Sequence, residues 1–279
     1  MRLIVLFLGI LILAYLATGF YLYKYQEDLV FPGSTKLLKS LAQKHSAPEF
    51  LTQISLPSED RVPLVVWVSK TWDVSRPSLF YFHGNAEYLP NLSERFFKFK
   101  EMGFNLVLPA IRGYMDNFKP TEQALYQDAE AVFKNFEKKC SARFIIGYSL
   151  GSVAGAYLSF RFNSVDKLVL LAPFTSLEDM VRKHPIYRFF LPFLRLEMSV
   201  KRFLANTKTT QVLIAHGLKD SVVPFEHFID FKRLFGDKFL FLEYPDIGHD
   251  GIFEAAEEDI IKFLLGNFIP QKSHQEPVK

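Results

Sequence analysis

Residues 145–151 read Ile-Ile-Gly-Tyr-Ser-Leu-Gly, a short apolar run that breaks into Gly-x-Ser-x-Gly. No other stretch limits the fold so tightly. A strand that ends in this pattern and turns at once into a helix holds one serine hydroxyl strained and exposed at the top of a sheet. Gly147 and Gly151 stand two residues either side of Ser149, where side chains would collide as the backbone reverses. The surroundings suit that geometry. Residues 143–147 read as a buried strand, and residues 150–161 as a helix whose Ser152, Ala154, Gly155 and Ala156 allow close packing on a sheet. Such a pentapeptide also arises by chance, as a helix-packing motif with an incidental serine.

The rest of the chain alternates. Strand-like runs fall at 64–68, 79–82, 105–108, 144–146, 168–171, 212–215 and 239–243. Several are short, apolar and β-branched, as strands covered on both faces are. Helical patterns lie between them at 92–101, 121–138, 150–161, 225–235 and 253–268, and Thr121-Glu122-Gln123 marks a helix start. This order predicts an α/β fold with a mostly parallel sheet flanked by helices, its earliest strands forming an antiparallel lead-in. Residues 174–208 break the alternation with an aromatic, basic stretch interrupted by Pro185 and Pro192. A segment of that length inside a compact domain is usually a lid, here expected as short helices over the sheet edge.

A serine hydroxyl is a poor nucleophile at neutral pH and needs a base, which in turn needs an orienting acid. Both follow downstream, each just after an expected strand. The run 212–217 leads into Leu218-Lys219-Asp220, and the last strand leads into Tyr244-Pro245-Asp246-Ile247-Gly248-His249. Asp220 as acid and His249 as base thus sit at carboxyl ends of strands, where open α/β sheets place their sites. The order Ser, Asp, His is the one expected of this architecture. His216 reads as a residue that holds the acid loop. Asp246 and Asp250 lie too near His249 in sequence to stand behind its ring, and His45, His184, His227 and His274 read as surface residues. The oxyanion of a tetrahedral intermediate also needs donors. The run 79–82 ends in His83-Gly84-Asn85-Ala86, whose loop offers an amide from Asn85 or Ala86, and the Leu150 amide would be the second donor.

The amino terminus is of another kind. Residues 3–23 carry no charge, between Arg2 and Lys24, and reach the length of about 20 residues that a helix needs to cross a bilayer. Tyr21, Tyr23 and Tyr25 cluster at the far end, where amphipathic rings favour the interface. The run exceeds the roughly 7–15-residue core of a secretory signal, so it reads as an uncleaved single-pass anchor. Arg2 favours a cytoplasmic start with the domain outside the cytoplasm, while Lys24, Lys36, Lys39 and Lys44 pull the other way. The expected organisation is an anchor at 1–24, a membrane-proximal linker at 25–47, an α/β domain at 48–270 with its lid at 174–208, and a disordered tail at 271–279. A net charge of +3 gives no reason to expect a nucleic-acid partner. The sequence shows no metal-ligand cluster and no phosphate-binding glycine loop, so neither a metal nor an organic cofactor is expected. The single Cys140 leaves no intramolecular disulfide.

At these residues the chain resembles the α/β-hydrolase superfamily of serine hydrolases. More narrowly, it resembles the membrane-anchored α/β-hydrolase-domain proteins, which pair one N-terminal helix with one catalytic domain. The resemblance runs from Gln26 to about Phe268. Its motifs are His83-Gly84-Asn85-Ala86, Arg112-Gly113-Tyr114, Gly147-Tyr148-Ser149-Leu150-Gly151, Ala172-Pro173-Phe174-Thr175-Ser176, His216-Gly217 with Asp220 and Val223-Pro224, and Gly248-His249. It implies an eight-stranded sheet and a Ser149–Asp220–His249 site, and it does not specify a substrate. Two departures stand out. Glu87 takes the place of the usual glycine after His-Gly-Asn-Ala, beside the oxyanion loop. Met115-Asp116-Asn117-Phe118 replaces the small, glycine-rich turn after Arg-Gly-Tyr.

The lid carries Phe174, Ile186, Tyr187, Phe189, Phe190, Leu191, Phe193, Leu194 and Leu196 among several arginines and lysines. Its apolar residues are expected to pack on the sheet and its basic ones to form a solvated face. A sharper reading makes it an acyl pocket that favours anionic lipid surfaces. The function that follows is a membrane-anchored serine hydrolase cleaving carboxylic ester or thioester bonds of small acyl or lipid-like substrates. A membrane-tethered, hydrolase-like scaffold with little turnover stays open because of Glu87. So does an amidase or peptidase, because the same triad serves those bonds.

Overall fold

Residues 2–35, 46–92 and 94–267 are described by the computed structural model. Lys36, Lys39, Lys44, His45, Phe268, His274 and the tail at 271–279 lie outside them. The chain opens with helix α1 (Arg2–Val30), which is long and apolar enough to cross a membrane and lies almost wholly exposed. It continues past Lys24 as one helix, and near its end Gln26 and Glu27 are buried against the rest of the protein.

Eight strands follow: β1 (Leu51–Pro57), β2 (Pro63–Ser69), β3 (Ser78–Phe82), β4 (Asn105–Pro109), β5 (Arg143–Tyr148), β6 (Lys167–Leu171), β7 (Gln211–Gly217) and β8 (Leu240–Tyr244). They form one sheet in the order β1-β2-β4-β3-β5-β6-β7-β8. The pairs β1–β2 and β2–β4 are antiparallel and every other pair is parallel. This is the α/β-hydrolase arrangement that the resemblance implies, antiparallel lead-in included. Strand β1 escapes the sequence reading. It is an edge strand, mostly exposed, and Thr52, Gln53 and Ser55 dilute its apolar signal.

Side chains alternate across the sheet with the period of two that a pleated strand imposes. Ile145 of β5 faces one hydrophobic core, and Phe144 and Ile146 face the other. The first core is closed by α4 (Glu122–Phe136), α5 (Gly151–Arg161) and α8 (Glu226–Phe235). The second is closed by α9 (Ile252–Leu265) and by residues 89–101. Helix α4 starts where the sequence marks it, with the Thr121 hydroxyl accepting the Ala124 amide at 3.0 Å. The helix expected at 92–101 is broken into α2 (Leu89–Leu92), a 3-10 turn at Glu94–Phe96 and α3 (Phe97–Glu101). Phe96 and Phe99 both turn inward there, onto the Phe253 ring.

Between β6 and β7 the chain forms α6 (Leu177–Lys183), a 3-10 segment at Tyr187–Phe193 and α7 (Val200–Ala205). These are the short helices expected of a cap. Their packing differs from expectation. No residue of α6 or of Tyr187–Phe193 is buried; of the apolar lid residues named above only Phe174 and Leu196 reach the core, which Met198, Val200, Phe203 and Leu204 then join. The segment lies along α1 instead of on the sheet, with Tyr15 bonded to the Phe189 carbonyl.

Candidate active site

Ser149 occupies the bend between β5 and α5 with φ of 49°, a left-handed conformation that non-glycine residues avoid. Strain of this kind persists where the surroundings over-determine it. The Ser149 amide bonds the Leu171 carbonyl of β6 at 2.8 Å, and the Ser152 hydroxyl bonds the Gly147 carbonyl at 3.0 Å. The close approach expected at the two glycines is a backbone one. A Cβ on Gly151 would lie 1.9 Å from the Phe82 carbonyl oxygen, and one on Gly147 would lie 2.7 Å from the Gly151 carbonyl oxygen.

His249 Nε2 lies 3.0 Å from Ser149 Oγ, and His249 Nδ1 lies 2.7 Å from Asp220 Oδ2. With Nδ1–H donating to the carboxylate, Nε2 is left to accept from the serine hydroxyl. The other Asp220 oxygen, Oδ1, accepts the Val222 and Val223 amides at 2.8 Å each. His216 is fully buried behind it, with Nε2 3.3 Å from Asp220 Oδ2 and 2.9 Å from the Val223 carbonyl. Burial works against the Asp220 charge. The hydrogen bonds from His216, His249 and the Val223 amide outweigh it and hold the carboxyl well below the usual carboxylate range.

The loops that carry Asp220 and His249 are joined directly. Leu218 donates to the Tyr244 carbonyl and Lys219 to the Ile247 carbonyl, both at 3.0 Å. Asp246 pairs outward with Lys219 at 2.7 Å. Tyr148 adds a contact that the sequence reading missed. Its hydroxyl donates to the His249 carbonyl at 3.1 Å, and its ring centroid lies 5.2 Å from the imidazole. Its place inside Gly-x-Ser-x-Gly was the available signal.

The loop at 83–87 lies beside the serine, since a Cβ on Gly84 would be 3.5 Å from Ser149 Cβ. No hydrogen bond within the described residues engages the amides of Asn85, Ala86 or Leu150. The loop carbonyls, by contrast, are held. Tyr114 donates to the Asn85 carbonyl and His83 Nδ1 to the Gly84 carbonyl, each at 2.8 Å. His83 Nε2 accepts the Ile111 amide at 3.0 Å, and burial pushes that imidazole down.

Glu87 stands behind this loop. Its Oε2 accepts the Gly84 amide at 2.9 Å and the Tyr81 hydroxyl at 2.8 Å, and its Oε1 pairs with Arg95 at 2.6 Å. Arg95 also pairs with Glu254 at 2.8 Å and lies 4.5 Å over the Phe253 ring. In the other departure, Asp116 accepts the Gly113 and Phe118 amides at 2.9 Å each and so closes the 113–118 turn.

Among the remaining histidines, His184 is exposed as expected, and His227 is not. His227 is fully buried on the inner side of α8, where Nδ1 accepts the Thr175 amide at 3.2 Å. Burial pushes its imidazole down to about 4. Among the described residues no group of three or more His, Cys, Asp or Glu side chains could hold a metal ion.

No protein-family model matches the chain. The chain is similar to the lysophosphatidylserine lipase ABHD12 of Danio rerio, 27% identical over 183 residues that cover 57% of this chain and 47% of that protein. It is 28% identical to the lipase of the same name from Bos taurus over 75% of this chain and 61% of that protein. The chain therefore spans about half to three-fifths of the length of these lipases. It is also 28% identical to protein bem46 of Schizosaccharomyces pombe, over 88% of this chain and 90% of that one. Among solved structures, the Pyrococcus furiosus esterase Pf2001 superposes with a TM-score of 0.60 at 20% identity, covering 77% of this chain and 92% of the esterase. That likeness is one of fold.

Proposed function

We propose that this chain, a member of the α/β-hydrolase superfamily, is a membrane-anchored serine hydrolase that cleaves carboxylic ester or thioester bonds of lipid-like acyl substrates. One observation carries the reading: a continuous hydrogen-bonded line from Ser149 Oγ through both His249 nitrogens to Asp220. In the proposed reaction His249 Nε2 takes the Ser149 proton as Oγ attacks the acyl carbon, and Asp220 stabilises the imidazolium that forms. The amides of Leu150 and of Asn85 or Ala86 receive the oxyanion. Collapse breaks the bond to the leaving oxygen or sulfur, which takes the proton from His249 and leaves the acyl group on Ser149. Water then attacks, deprotonated by the same imidazole. The carboxylic acid departs and the serine is reprotonated.

Support for a lipid-like substrate comes from the apolar α1 and from the relatives, which are named as lipases of lysophosphatidylserine. The scaffold alternative drew on Glu87, and both oxygens of that carboxylate are engaged behind the loop, on Gly84, Tyr81 and Arg95. A fluorophosphonate probe applied to membranes holding the full chain tests the reading. The wild type labels and Ser149→Ala does not. Folded wild type that stays unlabelled overturns the proposal. A panel of lysophospholipids, simple esters and thioesters then assigns the bond.

A further inference from the structure

Tyr15 lies roughly two turns of α1 before Tyr23, or about 12 Å along the axis at about 1.5 Å per residue, in the middle of the apolar run. Its hydroxyl nonetheless donates to the Phe189 carbonyl of the cap at 2.9 Å. Its ring stacks on Phe190 with centroids 5.2 Å apart and meets Phe193 edge-on at 5.6 Å. The Phe189 carbonyl needs such a donor, because Pro192, three residues on, has no N–H to offer a 3-10 turn. Gly19 lets the Phe193 ring lie directly on the helix, since a Cβ there would meet the ring at 2.4 Å.

We propose that the cap segment Tyr187–Phe193 is sunk into one leaflet of the bilayer beside α1, with lipid acyl chains against its exposed face. The proposal rests on the reading of α1 as a membrane anchor. Wherever α1 stands in a bilayer, the Tyr15 bond carries Phe189 to the depth of the middle of the apolar run.

The chemistry of the cap suits that place. Ile186, Tyr187 and Phe189 are 63%, 48% and 61% exposed, continuous with the apolar flank of α1, a surface that soluble monomers rarely keep. Between Pro185 and Leu194 the only charge is Arg188, whose guanidinium lies 5.2 Å over the Phe189 ring and whose stem is long enough to reach back toward the headgroups. The polar side chain in the seam is satisfied within the protein, as hydrocarbon demands. Gln26 Nε2 donates to the Tyr23 carbonyl at 3.0 Å and the Phe193 carbonyl at 3.3 Å. Its Oε1 accepts the Arg195 amide at 3.0 Å and the Leu196 amide at 3.1 Å. Beside these bonds lies an apolar groove of about 280 Å³, with Leu22, Leu29, Val181, Phe190 and Phe193 in its walls.

The test places an environment-sensitive NBD label at the cap of the full chain in phosphatidylcholine liposomes, using Phe189→Cys in a Cys140→Ser background. A Val74→Cys control marks an exposed loop at the opposite edge of the sheet. The label at position 189 is expected to emit to the blue of the control. Doxyl groups placed mid-chain in the lipid should quench it several-fold more than aqueous iodide does, with the reverse order at position 74. Tyr187→Cys repeats the measurement should the first variant fold poorly. Iodide quenching at both cap positions, in protein that resists alkaline carbonate extraction, overturns the buried cap while leaving the anchor intact. Release of the protein by carbonate shows instead that the anchor reading itself has failed, and the proposal falls with it.

Discussion

Glu87 Oε2 accepts the Gly84 amide at 2.9 Å, so this carboxylate holds the 83–87 loop, the proposed oxyanion loop, from behind. Arg95 balances its charge through the other oxygen. Removing this support should let the Asn85 and Ala86 amides drift from the reacting carbonyl. Glu87→Ala is expected to lower kcat by about 10–100-fold with little change in KM, less than the roughly 10²–10³ that outright loss of an oxyanion donor costs. Steady-state kinetics on a soluble ester checks this, and unchanged kcat would show that the loop holds its shape unaided.

Asp220→Asn keeps the shape of the side chain and turns an N–H toward His249 Nδ1, which favours the wrong tautomer. A fall in kcat on the order of 10⁴ is expected. His216→Phe leaves the acid in place with one bond fewer, and its loss should be much smaller, about tenfold. Comparing the two variants by single-turnover kinetics separates chemistry from positioning.

Tyr148→Phe keeps the ring beside His249 and drops one hydrogen bond to the His249 carbonyl. A net contribution of about 1 kcal/mol predicts roughly fivefold slower fluorophosphonate labelling. Tyr148→Ala removes the ring as well and should slow labelling by on the order of a hundredfold.

Gly151→Ala would drive a methyl group to 1.9 Å from the Phe82 carbonyl oxygen, with backbone on both sides of the clash. A loss of more than about 4 kcal/mol is expected, enough to abolish folded protein. Gly155→Ala, one turn further along α5, would meet side chains alone, those of Ile145 and Leu168 at 3.3 Å and of Leu170 at 3.6 Å. It should cost about 1 kcal/mol or less. Thermal unfolding of the detergent-solubilised chain distinguishes the two.

His227 supplies a pH dependence. Its folded value of about 4 lies below its ordinary 6.5, so the unfolded chain binds the proton first as pH falls. The stability linked to this group is complete above about pH 6.5 and is lost between there and pH 4, by roughly 3 kcal/mol in all. His227→Gln should flatten the fall in Tm between pH 7 and pH 4.5, and an equal fall in variant and wild type would refute the assignment.

The parallel strands could be read from the sequence because burial on both faces leaves them as bare apolar runs between helices. That Ser149, Asp220 and His249 would meet could be read because each closes or follows such a run, and the sheet brings those ends to one edge. What stayed hidden depends on contacts that no local pattern encodes. The role of Tyr148 awaits a histidine 101 residues later, and that of Glu87 requires Tyr81 and Arg95 to converge on one carboxylate. By its type and helical context His227 reads as a polar surface residue, yet it shares the inward face of α8 with Phe228 and Phe231. The aromatic cap read as core because aromatic residues usually are. Its partner is α1, whose Tyr15 lies 174 residues from the carbonyl it holds.

Gln26 joins two backbone carbonyls and two backbone amides, three of them in the cap or just beyond it. A roof stitched to its stalk in this way cannot swing aside like a hinged door without stripping one side chain of nearly all its partners. Whatever tilts α1 must then carry Phe193, Arg195 and Leu196 with it, because these bonds leave the two pieces no independent course.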